Sequence, residues 1–217
     1  MSVKNNLLQI KSTLPEHITL VAVSKTKPVS DLMEGYEAGQ RIFGENKIQE
    51  MAEKWEQMPK DIQWHMIGHV QSNKVKFMAP FVSLIHGVDS LKLLQEINKQ
   101  ALKSNRIIDC LLQMHIAEEE TKFGLDQEEL ASILSSNEFQ ELKNIRIVGL
   151  MGMATFTDKK DQIKKEFTHL KSIFDQFKIQ NSQFTILSMG MSGDYQLAIE
   201  CGSTMVRIGS SIFGGRN

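Results

Sequence analysis

Short apolar runs and amphipathic stretches alternate along this sequence, and that alternation constrains the fold more than any other feature. The apolar runs are predicted strands, and the stretches between them have the period near 3.6 of helices. Strands that alternate with helices pair in parallel, because a parallel connection must cross back over the sheet. A predicted helix follows every strand except the last. The predicted strands cover residues 19–24, 41–45, 62–68, 82–88, 107–116, 145–151, 184–188 and 205–208.

Eight such units predict an α/β fold, a single (β/α)8 barrel of the TIM type that forms one domain over residues 1–217. About 250 residues is typical of this fold, so the chain has little room for an added domain. An extra N-terminal helix is predicted at residues 2–13, with Val3, Leu7, Ile10 and Leu14 on one face. An open, doubly wound sheet is the alternative arrangement of the same elements.

The charge balance and the cysteines argue against several classes of protein. Lys and Arg total 25 against 26 Asp and Glu, a net charge of −1, whereas a nucleic-acid-binding domain presents a basic face. Cys110 and Cys201 stand far apart and form no CxxC pair. The polar start and the lack of a long apolar run predict neither a signal peptide nor a membrane helix. We therefore expect a cytoplasmic protein without nucleic-acid or membrane partners.

Lys25 directly follows the first predicted strand, in the segment VAVSKTKP at residues 21–28. Working groups of a barrel lie at the carboxyl ends of its strands. A lysine in the low-dielectric mouth of a barrel has its pKa lowered by desolvation, which favours the neutral, nucleophilic amine. The alternative is an ordinary solvated lysine at a strand end. Lys27 is close enough in sequence to be confused with Lys25.

Two polar segments follow the last two predicted strands, where barrels often bind phosphate. LSMGMSGD at residues 187–194 combines two glycines with Ser192 near a predicted helix start, which suits an anion or a plain helix cap. MVRIGSSIFGGR at residues 205–216 offers Gly209 and Ser210 to the same space. Arg207 is unusual within an apolar strand, so it must find a partner in the barrel or point outward. No Walker or Rossmann pattern is present.

A metal site is not predicted. His65 and His69 are four residues apart but lack the glutamate of an HExxH motif. Structural or pocket-lining histidines are the preferred interpretation of this pair.

Six segments together resemble the pyridoxal phosphate homeostasis protein family, from the first predicted strand to the last. That family shares the barrel of the alanine racemase N-terminal domain and binds pyridoxal 5'-phosphate (PLP). The resemblance implies seven cofactor-binding residues: Lys25 as the Schiff-base lysine, Ser192, Gly209 and Ser210 at the phosphate, Arg207 at the pyridine nitrogen, and Asn46 and Met189 near the ring. The segments are AVSKTKP (22–28), FGENKIQE (43–50), WHMIGHVQSNK (64–74), GLMGMA (149–154), SMGMSGD (188–194) and MVRIGSSIFG (205–214).

The resemblance implies a PLP-binding protein of vitamin B6 homeostasis that buffers PLP or delivers it to PLP-dependent apo-enzymes, and no catalytic residue. A guanidinium has no acceptor and stays charged, so Arg207 beside the pyridine nitrogen disfavours a protonated ring and the carbanion chemistry it supports. The absence of a heptad seam favours a monomer.

Two enzymatic alternatives stay open from the sequence. A weakly active amino-acid racemase needs an acid/base on each face of the substrate carbon. Lys25 supplies one face, and we expect no second domain to supply the other, because the sequence ends soon after the last predicted strand. A phosphosugar aldolase or isomerase would use the phosphate site without a Schiff base.

Overall fold

The computed structural model describes residues 2–119 and 123–215, which contain eight parallel strands in one closed barrel. Each strand is hydrogen-bonded to the strands before and after it in sequence, and the last strand pairs with the first. The closed order confirms the TIM-type barrel and excludes the open sheet. The strands are β1 Thr19–Val23, β2 Ile42–Glu45, β3 Gln63–Met66, β4 Leu84–Val88, β5 Ile108–Met114, β6 Ile145–Gly152, β7 Ile186–Ser188 and β8 Met205–Ile208.

Helices surround the barrel, and the extra N-terminal helix is confirmed at Val3–Thr13, which we label α1. The Ser2 hydroxyl caps it by accepting a hydrogen bond from the Asn5 N–H at 3.2 Å. Asp126 and Glu129 form a capping box at the start of the helix Gln127–Ser135. The helices are α1 Val3–Thr13, α2 Val29–Glu37, α3 Ile48–Gln57, α4 Val75–Met78, α5 Leu91–Lys103, α6 Gln127–Ser135, α7 Asn137–Gln140, α8 Lys160–Lys178, α9 Tyr195–Glu200 and α10 Ser210–Phe213.

The prediction that no helix follows the last strand was wrong. Residues Ser210–Phe213 form α10, which packs on α1 through a 2.9 Å hydrogen bond from Asn6 Nδ2 to the Ile212 carbonyl. Four residues are too few to produce a helical period in the sequence. Several predicted strands were longer than the hydrogen-bonded strands. The prediction for β4 began at Val82, before its first residue Leu84, because residues that connect the elements are buried as well.

The buried apolar residues form two clusters, as a barrel requires. The larger cluster fills the layer between the strands and the surrounding helices. The smaller one collects residues from five strands and fills the inside of the barrel. Its buried members are Val21, Leu84, Leu111, Met151 and Met205. This plug closes the barrel beneath its carboxyl-terminal mouth.

One backbone contact in the barrel wall tolerates only glycine. The β5–β6 register shifts so that Cys110 faces Ile147 while Leu111 faces Gly149, which leaves Val148 as an extra residue. A Cβ on Gly149 would lie 1.7 Å from the Ile186 carbonyl oxygen of β7. Glycine at this position is therefore a requirement of strand packing.

Within the described ranges, no helix combines the length and the apolar character that crossing a membrane demands.

Candidate functional site at the barrel mouth

The strand register directs three polar side chains into the barrel. In a parallel sheet, residues directly opposite each other project from the same face, and side chains along one strand alternate. Each of the three lies opposite a residue of the interior apolar plug and therefore also points into the barrel. The pairs are Val21 with Arg207, Leu84 with His65, and Met151 with Ser188. His86 joins them, because it lies two residues beyond Leu84 on β4.

These four side chains form a hydrogen-bonded chain across the barrel, which we call the polar relay. Arg207 Nη1 donates to Ser188 Oγ at 2.6 Å, and His86 Nδ1 lies 3.1 Å from the same oxygen. His86 Nε2 lies 3.0 Å from His65 Nδ1. Arg207 Nη2 also donates to the Gly152 carbonyl at 3.2 Å. Arg207 thus finds its partners inside the barrel, one of the two outcomes that the sequence left open.

Burial sets the charge states of the relay. Loss of solvation lowers the pKa of Arg207 to about 10, so it is still a cation at neutral pH, while the nearby Asp194 carboxylate opposes that decrease. Burial lowers the pKa of His65 to about 3. The pKa of His86 also falls well below its usual range, first through burial and then through repulsion from His65 and Arg207. One buried cation therefore meets two neutral imidazoles.

Lys25 lies just beyond β1 at the rim of the same mouth. The β1–β2 pairing extends one residue past the strand, because the Ser24 N–H donates to the Gly44 carbonyl at 3.0 Å. Lys25 follows Val21 and Val23 at two-residue spacing and is half-buried. The next residue, Thr26, adopts a left-handed φ of 63°, and its N–H donates to Glu50 Oε1 at 2.6 Å. The backbone on both sides of Lys25 is thus fixed.

A buried charge cluster behind Lys25 holds this segment against α3. Lys54 Nζ donates to Glu45 Oε1 and Glu50 Oε1, each at 2.7 Å, and to the Ser24 carbonyl at 2.8 Å. Ser24 Oγ donates to Glu45 Oε1 at 2.6 Å, while Glu45 Oε2 is buried without a hydrogen-bond partner in the described structure. Burial raises the pKa of Glu45, although Lys54 and Ser24 oppose the increase.

The two polar loops after β7 and β8 meet, as their sequence positions predict. Ser192 Oγ accepts a hydrogen bond from the Gly209 N–H at 3.2 Å. Gly209 lies against β1, because a Cβ there would be 3.0 Å from the Val23 carbonyl oxygen. Ser210 is exposed at the start of α10. The loops after β7 and β8 thus meet beside the end of β1, the strand that Lys25 follows.

Asn46 and Met189 differ in their access to the mouth. Asn46 is half-buried and directly follows β2. A Cβ on Gly68 would lie 2.5 Å from its carbonyl oxygen, so its backbone packs closely on the segment after β3. Met189 is fully buried in the outer apolar layer. Only the backbone of Met189 can therefore face a ligand in the mouth.

His65 and His69 separate in the structure. His65 belongs to the relay, whereas the His69 ring stacks on Phe123 with centroids 4.4 Å apart. In residues 2–119 and 123–215, no group of three or more His, Cys, Asp or Glu side chains is arranged to hold a metal ion.

Sequence reasoning missed His86, Ser188 and the Lys54 cluster. His86 has the same signal as Arg207, a polar residue inside an apolar strand, but an isolated histidine is common in cores. Lys54 resembles any exposed lysine in the sequence of an amphipathic helix. Only the packing of α3 on the barrel wall shows that its charge is buried, with 5% of the residue exposed.

The closed barrel, the lysine after β1 and the two-loop polar cradle define a class of protein, the barrels of the alanine racemase N-terminal domain. The family model for that domain matches residues 1–217. The solved alanine racemase of Clostridium difficile shares the fold, with a TM-score of 0.79 at 16% identity over 99% of this chain and 56% of the racemase.

Full-length relatives identify the family within this class. A pyridoxal phosphate homeostasis protein of Pasteurella multocida is 37% identical, with 100% of this chain and 99% of the relative covered. The solved structure of PipY from Synechococcus elongatus, with PLP bound, has a TM-score of 0.90 and 32% identity over 98% of this chain and 100% of PipY. The chain belongs to the pyridoxal phosphate homeostasis protein family.

Proposed function

We propose that this protein binds PLP in the barrel mouth through Lys25 and serves PLP homeostasis. The observation that carries the proposal is the convergence of a half-buried amine, serine hydroxyls from two adjoining loops, and a buried guanidinium at one mouth of the closed barrel. Family membership and the PLP-bound structure of PipY support the same assignment.

The residues of the mouth fit PLP in their donor chemistry. The Ser192 and Ser210 hydroxyls offer hydrogen bonds to a phosphate, while the Gly209 N–H holds Ser192 Oγ in place. Within the described residues, Arg207 uses two of its five N–H groups, on Ser188 and Gly152, and the others suit a ring nitrogen. When bound, PLP supplies an aldehyde that condenses with a primary amine.

The protein's own groups account for holding PLP without turning it over. Arg207 has only N–H donors and stays charged, so it cannot accept a hydrogen bond from a protonated pyridine nitrogen; it keeps that nitrogen unprotonated and the ring a poor electron sink. The other side chains of the polar relay are a neutral serine and two neutral histidines. The relay therefore contains no carboxylic acid that could protonate the ring. The binding role is therefore favoured over racemisation, and the relatives are named homeostasis proteins.

The same proposal extends to partners and location. We infer that the protein acts as a monomer in the cytoplasm and supplies PLP to PLP-dependent apo-enzymes. The absence of a heptad seam in the sequence supports the monomer.

Trapping the covalent link tests the Lys25 assignment. Purified protein incubated with PLP and reduced with borohydride is expected to yield one modified peptide, with the adduct on Lys25. Lys25→Ala is expected to abolish the adduct and the visible absorbance. Lys27→Ala is the matched control, because the Lys27 amine instead donates to the Gly215 carbonyl at 2.9 Å. An adduct on another lysine, or none on the parent protein, contradicts the proposal.

Removing two hydroxyls tests the phosphate cradle. A hydrogen bond to a charged group contributes about 1.5–3 kcal/mol, so Ser192→Ala with Ser210→Ala is expected to raise the Kd for PLP at least about tenfold. Equilibrium dialysis measures this change. Ser182→Ala is the control, because Ser182 is exposed and lies before β7, at the opposite end of the barrel. An unchanged Kd in the double variant would mean that the phosphate binds elsewhere.

A further inference from the structure

The direction of the hydrogen bonds in the polar relay follows from its chemistry. Arg207 has only donors, so Ser188 Oγ must accept from it. Ser188 is fully buried, and within the described residues its oxygen contacts only Arg207 and His86. Leaving its single proton without an acceptor would cost the desolvation of a buried hydroxyl. The Ser188 proton therefore goes to His86 Nδ1.

The same reasoning fixes the tautomers of both histidines. A neutral imidazole that accepts at Nδ1 carries its proton on Nε2. His86 Nε2 thus donates to His65 Nδ1, 3.0 Å away, and His65 in turn carries its proton on Nε2. Every bond in the relay runs in one direction, away from the guanidinium.

We propose that Ser188, His86 and His65 are positioning residues that hold the Arg207 guanidinium in one orientation at the ring end of the mouth. This inference rests on the proposed function, because the ring end exists only if PLP binds beside Arg207. An arginine side chain has many rotamers, and a fixed acceptor at each terminal nitrogen selects one of them. Ser188 and the Gly152 carbonyl are those two acceptors.

A neutral relay serves this purpose better than a carboxylate. A carboxylate on the guanidinium would form an ion pair and neutralise the charge that faces the ligand. Neutral serine and histidine orient the guanidinium and leave its positive charge in place. Burial of both imidazoles also prevents a second cation from forming beside Arg207.

The tautomers can be measured on the parent protein without PLP. Long-range 1H–15N spectra of the histidine side chains are expected to assign the proton of His65 and of His86 to Nε2. Both rings are expected to stay neutral from pH 8 to pH 5. A proton on Nδ1 of His86 would overturn the proposal whether or not PLP binds.

Variants test the consequence for the ligand. In His86→Leu, Ser188 loses its acceptor, and we expect PLP release to accelerate about three- to tenfold, the equivalent of one net hydrogen bond, with a shift of the visible absorbance band. His86→Asn retains an acceptor for Ser188 and is expected to restore the band. His65→Leu leaves the Ser188–His86 bond in place and is expected to have the smaller effect. His169→Leu on the exposed face of α8 is the control.

The outcomes separate this proposal from the proposed function. If the parent protein traps no PLP on Lys25, the proposed function fails, whereas the tautomer measurement still decides the direction of the relay. If the parent traps PLP on Lys25 but His86→Leu matches it in band position and release rate, the positioning role is wrong. A His86→Leu protein that loses stability without a spectral shift would also contradict it, because a purely structural histidine predicts that result.

Discussion

Replacing Lys54 with methionine is expected to lower the free energy of unfolding by about 3–5 kcal/mol, because the substitution leaves the buried Glu45 carboxylate without its cation. Glu45 is fully buried, and its Oε1 receives hydrogen bonds from Lys54 and Ser24. Glu45 Oε2 already lacks a partner among the described residues, so this carboxylate depends on Lys54 and Ser24 for its hydrogen bonds. Urea denaturation of the two proteins at pH 7.5 measures the difference.

A double variant is the matched control for this prediction. Glu45→Leu together with Lys54→Met removes both charges, and exchanging a whole buried pair for apolar residues is often neutral. The double variant is therefore expected to regain most of the stability that the single variant loses. Equal losses in the single and double variants would mean that packing of the lysine stem, rather than its charge, stabilises this part of the protein.

The pH dependence of the Lys54→Met protein has a defined sign. Burial already raises the pKa of Glu45 above its ordinary 4.5, and loss of Lys54 raises that pKa further. Between 4.5 and the folded pKa, the native state holds a proton that the unfolded state has released. The free energy of unfolding therefore falls as the pH rises through that window. The difference from the parent protein is expected to be small near pH 5 and large near pH 8.

Gly149→Ala is expected to destabilise the barrel by about 3–5 kcal/mol, in the upper part of the range for single substitutions. The added methyl carbon would lie 1.7 Å from the Ile186 carbonyl oxygen, so β6 and β7 must separate where they pair. No side chain can move to relieve this clash, because the three nearest atoms are all backbone atoms of Ile186. Thermal or chemical unfolding gives the measurement.

Gly193→Ala is the control for the Gly149 prediction. A Cβ on Gly193 would meet nothing within 4 Å, so its effect on stability is expected to stay within about 0.5 kcal/mol. If Gly149→Ala unfolds at the same denaturant concentration as the parent, the close approach of β6 to β7 is not essential to the barrel.

The position of several predicted site residues at the barrel mouth could be read from the sequence, because residues at the mouth follow strands along the chain. Lys25, Ser192 and Gly209 each come directly after an apolar run or in the next loop, and a barrel brings the ends of its strands together. The contact of Ser192 with Gly209 follows from that rule. Met189 shows the limit of this rule. Side chains alternate along a strand, so Met189 packs in the outer apolar layer, whereas the preceding Ser188 points into the barrel.

The sequence by itself determined the barrel through its local periodicity, and its resemblance to a known family predicted the ligand and the role of Lys25 from motifs within short segments. Only the tertiary structure decided which charges are buried and which polar side chains touch. Arg207, Ser188, His86 and His65 come from four strands, and they meet because closure of the barrel turns those strands toward one interior. Lys54 is paired with Glu45 because α3 packs on the wall behind β2. Contacts between residues distant in sequence depend on closure and packing, and neither leaves a periodic pattern in the chain.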